Sequence, residues 1–244
     1  MTIVRRQDFA QNSLDFPDSA SEHVVVSHNA VQNFSAAATW SAWMRIDDFT
    51  GESSRAIISK WDLAGPTGNR EYIFETVLSG QVGVFIENSG TAGGVIQSLP
   101  LHEWMHIAFV YDGSLTGDAN RLKGYLNGVQ QTLSFTAPGV PATIAATTRP
   151  LHLGAFSDPT PVRFFDGRLC QLAAFNVAKN QAGIDALIDK NGKPADLTGQ
   201  AGLAYWYQLG GINDNLTTIN DDSPNSNNGT VTNFSVAEFS RDVP

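Results

Sequence analysis

From Thr39 to Ile46 the chain reads Thr-Trp-Ser-Ala-Trp-Met-Arg-Ile, with Trp40, Ala42, Met44 and Ile46 at every second position. A period of two places alternate side chains on one face of a pleated strand, so this segment predicts a strand with that face in a core. The signature recurs at Glu22–Val26, Ala56–Trp61, Tyr72–Phe74 and Val82–Ile86, with Ser79-Gly80 between the last two. From Leu122 to Leu133 two such runs flank Asn127-Gly128, the pair that best tolerates the positive φ angles of a type I′ hairpin turn. Helical spacing is confined to about 180–191, where Asn180 caps the start, Ile184, Leu187 and Ile188 form one stripe, and Gly192 ends it. Many strands and one short helix predict an all-β fold.

The 244 residues are 42% hydrophobic, enough for a full core, and only 16% charged, with 22 Gly and 11 Pro. That balance suits short strands joined by tight turns. Polar loops are expected near 62–70, 112–121, 155–165 and 220–229, and no linker divides the chain, so one domain over 1–244 is expected. A net charge of −9 with 15 Lys and Arg speaks against a nucleic-acid partner. The N-terminal residues lack the apolar core of a signal peptide, and no run approaches 18 apolar residues, so neither export nor a membrane span is expected. Four Asn-x-Ser/Thr sites, at Asn33, Asn215, Asn228 and Asn233, are then chance occurrences. Cys170 is the single cysteine and reads as a small core residue.

Several further segments share an order. Ser13–Phe16 and His23–Val26 form an opening pair, and Phe34–Ile46 and Ile57–Trp61 follow. Then come Glu103–Gly113, Tyr125-Leu126-Asn127-Gly128-Val129, Leu151–Gly154, Phe165–Leu169 and Pro194–Leu197. In that order they resemble the laminin-G-like jelly-roll domains of the concanavalin A-like superfamily over roughly 13–210. The resemblance implies a two-sheet antiparallel jelly-roll sandwich of about 12–14 strands with one short helix. Two departures stand out. Cys170 occupies a position where many relatives carry an acid. The block from Gly202 to Thr230, which many relatives place before the first strand, here ends the chain and is expected to complete the sandwich. That late placement, with the closing Asp242-Val243-Pro244, resembles tailed-phage structural proteins.

His102-Glu103-Trp104-Met105-His106 matches H-E-x-x-H, a zinc motif only when a helix sets its two His on one face. Pro100 before it and Ile107–Tyr111 after it are strand-like. On a strand the two His stand roughly 13 Å apart, out of reach of one ion. Trp104 is then expected in the core and His102 in a loop. Glu71 and Glu75 share a strand face, but roughly 13 Å apart they do not match the carboxyl spacing of a glycosidase. No phosphate-binding loop or nucleophile elbow occurs. The chain is therefore expected not to be an enzyme.

Two binding chemistries remain. Relatives of this type hold Ca²⁺ with loop acids and backbone carbonyls, oxygen ligands of the kind a hard cation needs. The resemblance points first to Asp166, beside Gly167, with Asp18 and Asp112 next; Asp158 and the Asp221-to-Asn227 cluster supply further oxygens. A sugar needs an aromatic platform with a polar rim, for which Trp61, Tyr72, Tyr205 and Tyr207 are the candidates. The leading expectation is a non-catalytic structural module on the virion surface of a tailed phage, as capsid decoration, head fibre or tail-associated protein. Its partners would be other virion proteins or copies of itself. The alternative is a calcium-dependent lectin module that binds a surface glycan.

Overall fold

The computed structural model describes residues 12–17, 21–78, 80–88 and 90–244. The strands in chain order are β1 (Ser13–Phe16), β2 (His23–Val26), β3 (Ala37–Ile46), β4 (Ser54–Trp61), β5 (Arg70–Val77) and β6 (Gln81–Glu87). They continue with β7 (Thr91–Ile96), β8 (Trp104–Asp112), β9 (Leu122–Leu126), β10 (Val129–Gln131), β11 (Ser134–Phe135) and β12 (Leu151–Leu153). The last are β13 (Gly167–Phe175), β14 (Leu203–Tyr207), β15 (Thr218–Ile219), β16 (Gly229–Thr232) and β17 (Phe239–Ser240). Two one-turn helices, α1 (Asp118–Arg121) and α2 (Gln181–Asp185), interrupt them. The strands form an eight-stranded sheet in the order β10-β9-β8-β3-β13-β1-β17, with β14 also on β13, and a nine-stranded sheet in the order β11-β7-β6-β5-β4-β12-β2-β16-β15. Neighbouring strands run antiparallel, which makes a jelly-roll sandwich.

The alternation in β3 places Trp40, Ala42, Met44 and Ile46 in the inter-sheet core, each 0% exposed. Tyr72 and Phe74 from β5 and Val82, Val84 and Ile86 from β6 meet them from the facing sheet. The other residues of β5 and β6, Ile73 and Phe85, therefore point away from the core, and they belong to a separate cluster with Trp61 and Phe156. The outer face of the eight-stranded sheet is covered as well. Ile184, Leu187 and Leu197 pack there on Ala108, Tyr125, Phe175 and Trp206.

The Asn127-Gly128 turn adopts positive φ at both residues (49° and 81°) and pairs Leu126 with Val129, as the sequence predicts. The C-terminal block joins both sheets: β16 pairs β2 and β17 pairs β1. Beyond it Asp242 accepts hydrogen bonds from Trp104 Nε1 (3.0 Å), Arg45 Nη1 (3.2 Å) and Arg168.

Three expectations need correction. The helix ends at Asp185 and not near 191, because Asp189 accepts from the N–H groups of Asn191 and Lys193 and turns the chain into an Ile188–Pro194 bridge. The 112–121 loop contains α1. There are more strands than 12–14, because two- and three-residue pieces such as β10, β11, β15 and β17 pair at sheet edges without a sequence period of their own. No helix among the described residues is long and apolar enough to cross a membrane.

Candidate functional site

The H-E-x-x-H segment is resolved by backbone geometry. Met105 and His106 lie in β8, while His102 sits in the preceding turn at φ 62° and is hydrogen-bonded through Nδ1 to Asp47 (3.1 Å). His106 is 0% exposed, its Nε2 is 2.8 Å from Ser41 Oγ, and burial pushes its pKa down to about 3. The two rings serve different environments and do not share an ion. Trp104, expected in the core, is half-buried, because its indole N–H is drawn to Asp242 at the surface. Cys170 is fully buried and desolvation pushes its thiol pKa well up, so it is an inert core residue.

The proposed calcium ligands do not converge. Asp112 and Gly167 pair with Ala37 and Ile46, the opposite ends of β3, so Asp112 and Asp166 stand roughly 30 Å apart at strand rise. Asp112 Oδ1 instead accepts from the N–H (3.0 Å) and hydroxyl (2.6 Å) of Ser114, closing its own turn. The Asp166 carbonyl accepts from the Asp47 N–H (3.1 Å). Asp18 lies outside the described residues. Asp221 is spent on the backbone N–H groups of Trp206, Ser223 and Asn227. Among the described residues no three His, Cys, Asp or Glu gather as a metal cluster.

The aromatic candidates divide. Tyr72, Tyr205 and Tyr207 are 0% exposed and pack with Phe34 and Trp40 between the sheets. Tyr72 donates to the Gln32 carbonyl (3.1 Å) and Tyr207 to that of Asn227 (2.7 Å), and burial pushes both phenols well up. No sugar reaches these rings, which corrects their assignment as a platform. Alternation could not separate them from surface aromatics, since Tyr is equally at home in either place.

Trp61 differs. It ends β4 on the outer face of the nine-stranded sheet and lines a groove of about 300 Å³ with Ile73, Phe85 and Phe156. The loop from Gly154 to Asp166 builds one wall. Ser157 anchors it, its Oγ accepting from the Trp61 N–H (2.8 Å) and its own N–H donating to Ser59 Oγ (3.2 Å), which presses Phe156 onto the sheet. Arg70 lies over Trp61, with 5.5 Å from guanidinium carbon to ring centroid, and Arg163 lies over Phe156 at 5.4 Å. Glu75 completes the lining. It is 9% exposed, its Oε2 is buried without a hydrogen-bond partner, and burial raises its pKa to about 7, with Ser54 and Arg163 opposing. Glu71, four residues before it, faces other work. Its carboxylate meets Lys60 Nζ (3.1 Å) and accepts from the N–H groups of Phe34 and Thr147. The two Glu therefore do not form a carboxyl pair across one cleft.

At the Trp61 end of the groove, Asp62 and Asp158 stand against one another. Burial, and then the Asp62 carboxylate, hold Asp158 above the ordinary carboxylate range. For Asp62 burial is outweighed by hydrogen bonds with Asp158, Asn69 and Gly65, which hold it below that range. Asp158 Oδ2 is buried without a hydrogen-bond partner. Asp62 Oδ1 accepts from the Gly65 N–H (2.7 Å) and Oδ2 from Asn69 Nδ2 (3.1 Å), and Asp158 Oδ1 accepts from the Ala64 N–H (3.0 Å).

A larger cleft of about 490 Å³, lined by Asn33, Asn176, Gln200 and Asn225 among others, has no aromatic side chain in its wall. Sequence reading missed Phe156, Arg70, Arg163 and Glu75 as a group because they come from two segments far apart in the chain, β5 and the 154–166 loop. The available signal was the outward register of Ile73 and Glu75 on β5.

Residues 18–185 match the laminin-G-like profile described as the concanavalin A-like lectin/glucanases superfamily. The chain belongs to that superfamily. Solved structures of the same fold include a candidate carbohydrate binding protein from Bacteroides ovatus, 16% identical, with a TM-score of 0.65 and 91% of this chain covered. A SAP-like pentraxin from Limulus polyphemus is 13% identical, with a TM-score of 0.55 over 92% of this chain. The NanB sialidase of Streptococcus pneumoniae is 14% identical, with a TM-score of 0.51 over 91%. This chain spans 58% of the Bacteroides protein, 95% of the pentraxin and 38% of the sialidase. No curated protein sequence matches it.

Proposed function

We propose that the chain is a non-catalytic carbohydrate-binding module whose sugar site is the groove over Trp61. The observation that carries this reading is the groove's composition. The half-buried Phe85 ring offers apolar surface to the C–H face of a sugar, over a floor of Trp61 and Phe156 that is 5% and 2% exposed, while Arg70, Arg163 and Glu75 address its hydroxyls. A volume of about 300 Å³ suits one or two sugar units. The separate engagement of Glu71 supports binding without hydrolysis, since glycosidases of the common kind use two carboxyl groups flanking one bond. The likeness to the Bacteroides protein is consistent with this reading. Calcium dependence is part of the proposal, with Asp62 and Asp158 in place of Asp112 and Asp166 as the donors. The virion role draws its support from the sequence-based expectations of a single domain without an export signal, the lack of a catalytic motif in the sequence and the late placement of the C-terminal block, whereas the sugar role has a site with defined walls. The sugar role is therefore put first, and a phage surface module that binds host glycans would satisfy both.

The test is a glycan array with the full chain, in calcium and in EDTA, repeated with Phe156→Ala. The variant is expected to weaken binding at least tenfold while its melting curve still shows one cooperative transition. An array without signal in either condition would remove the sugar role.

A further inference from the structure

Two guanidinium groups border the proposed sugar site, and the one carboxyl beside them, Glu75, is within the influence of Arg163 without an ion-pair contact. Arg70 donates Nε to the Asp62 carbonyl (3.1 Å) and Nη2 to that of Leu63 (2.8 Å). Arg163 donates Nη1 to Ser54 Oγ (2.9 Å). Among the described residues neither forms an ion pair, whereas Arg45 and Arg168 both converge on Asp242. Each lies over a ring of one aromatic cluster, so both border the same floor. Glu75 is the one carboxyl in the groove lining, and its Oε2 is buried without a hydrogen-bond partner.

We infer, resting on the proposed sugar role, that the ligand is an anionic sugar whose carboxylate is gripped by Arg70 and Arg163 above the Trp61–Phe156 floor. Guanidinium–carboxylate hydrogen bonds are charge-assisted and strengthen where apolar walls exclude water. Glu75 fits the same ligand as a neutral acid, donating its O–H to a sugar oxygen. As an anion it would repel the ligand. The charged groups around Glu75 are Arg163, from the 154–166 loop, and Arg70, at the start of its own strand. Its neighbours on β4 and β6, Ser54, Ala56 and Gly83, carry no charge. Around neutral pH Glu75 is therefore the group here that changes charge, and binding should weaken as pH rises through about 7. Uronate and sialate sugars share this chemistry.

Isothermal titration calorimetry of the full chain with matched pairs tests the inference: glucuronate-ended against glucose-ended oligosaccharides, and sialyllactose against lactose, at pH 6 and pH 8. The acidic member of one pair should bind at least tenfold tighter at pH 6, and the pair that responds identifies the source of the carboxylate. The preference should shrink at pH 8. Arg163→Gln should abolish the preference for the acidic member of the responding pair. Glu75→Gln should keep the preference and remove its pH dependence. Equal or tighter binding of the neutral member in both pairs overturns the anionic assignment but leaves the sugar role standing. Absence of heat with every sugar overturns both.

Discussion

Lys60 and Glu71 form an ion pair in which both side chains are 0% exposed, with Nζ 3.1 Å from the carboxylate. Burial lowers the Lys60 pKa and raises that of Glu71, and in each case the partner's opposing pull is the smaller effect. Desolvation thus outweighs mutual attraction. The pair is retained for what it organises: Glu71 also holds the N–H groups of Phe34 and Thr147, and Lys60 holds the Asn33 side chain. Lys60→Met leaves the carboxylate buried without its cation, which costs about 3–5 kcal/mol, a large share of the roughly 5–15 kcal/mol of a typical domain. The cost depends on pH. Glu71 escapes it by taking a proton, so the loss is largest near pH 8 and shrinks toward pH 5, by up to about 1.4 kcal/mol per pH unit while Glu71 titrates in the variant. Lys60→Met/Glu71→Gln removes the charge and keeps a carbonyl for one of the two N–H groups, and should recover at least half of the loss. Urea unfolding followed by tryptophan fluorescence at pH 8 and pH 5 measures all of this. A Lys60→Met variant within about 1 kcal/mol of the parent at pH 8, or a double variant that merely sums the single losses, would refute the reasoning.

Two other outcomes follow from titration and latching. The raised Glu75 pKa means that its contribution to stability is fully present below about pH 4.5, its unfolded value, and is lost as pH rises through about 7. Glu75→Gln should therefore raise stability at pH 8 by up to about 3 kcal/mol and flatten the curve between pH 4.5 and 7, measured by urea midpoints across that range. Asp242→Ala releases Arg45, Arg168 and the Trp104 indole together, all half-exposed, and should cost about 1–2 kcal/mol in the same assay.

The inter-sheet core was legible because period two is a local property of the chain. Trp40 through Ile46 announce the buried face of β3, and Asn127-Gly128 fixes the register of β9 on β10. The ends of elements were less legible, since α2 stops where Asp189 caps a turn that competes with helix. The site was mostly hidden. Tyr72 and Ile73 are adjacent and both read as strand, yet one faces the core and the other the groove, and only the packing of the second sheet decides which. Arg70 and Arg163 lie 93 positions apart, and nothing in either segment alone marks its guanidinium as bordering the same floor as the other. Asp112 and Asp166 failed as a calcium pair because sequence order carries no information about which end of β3 each reaches.

The groove's role is tested most directly by amide chemical-shift mapping of the full chain, titrated with the sugar that the array selects. Shifts centred on Trp61, Arg70, Ile73, Phe85, Phe156 and Arg163 are the predicted result. A perturbation centred on the Asn33, Gln200 and Asn225 cleft, with the Trp61 region unmoved, would contradict it.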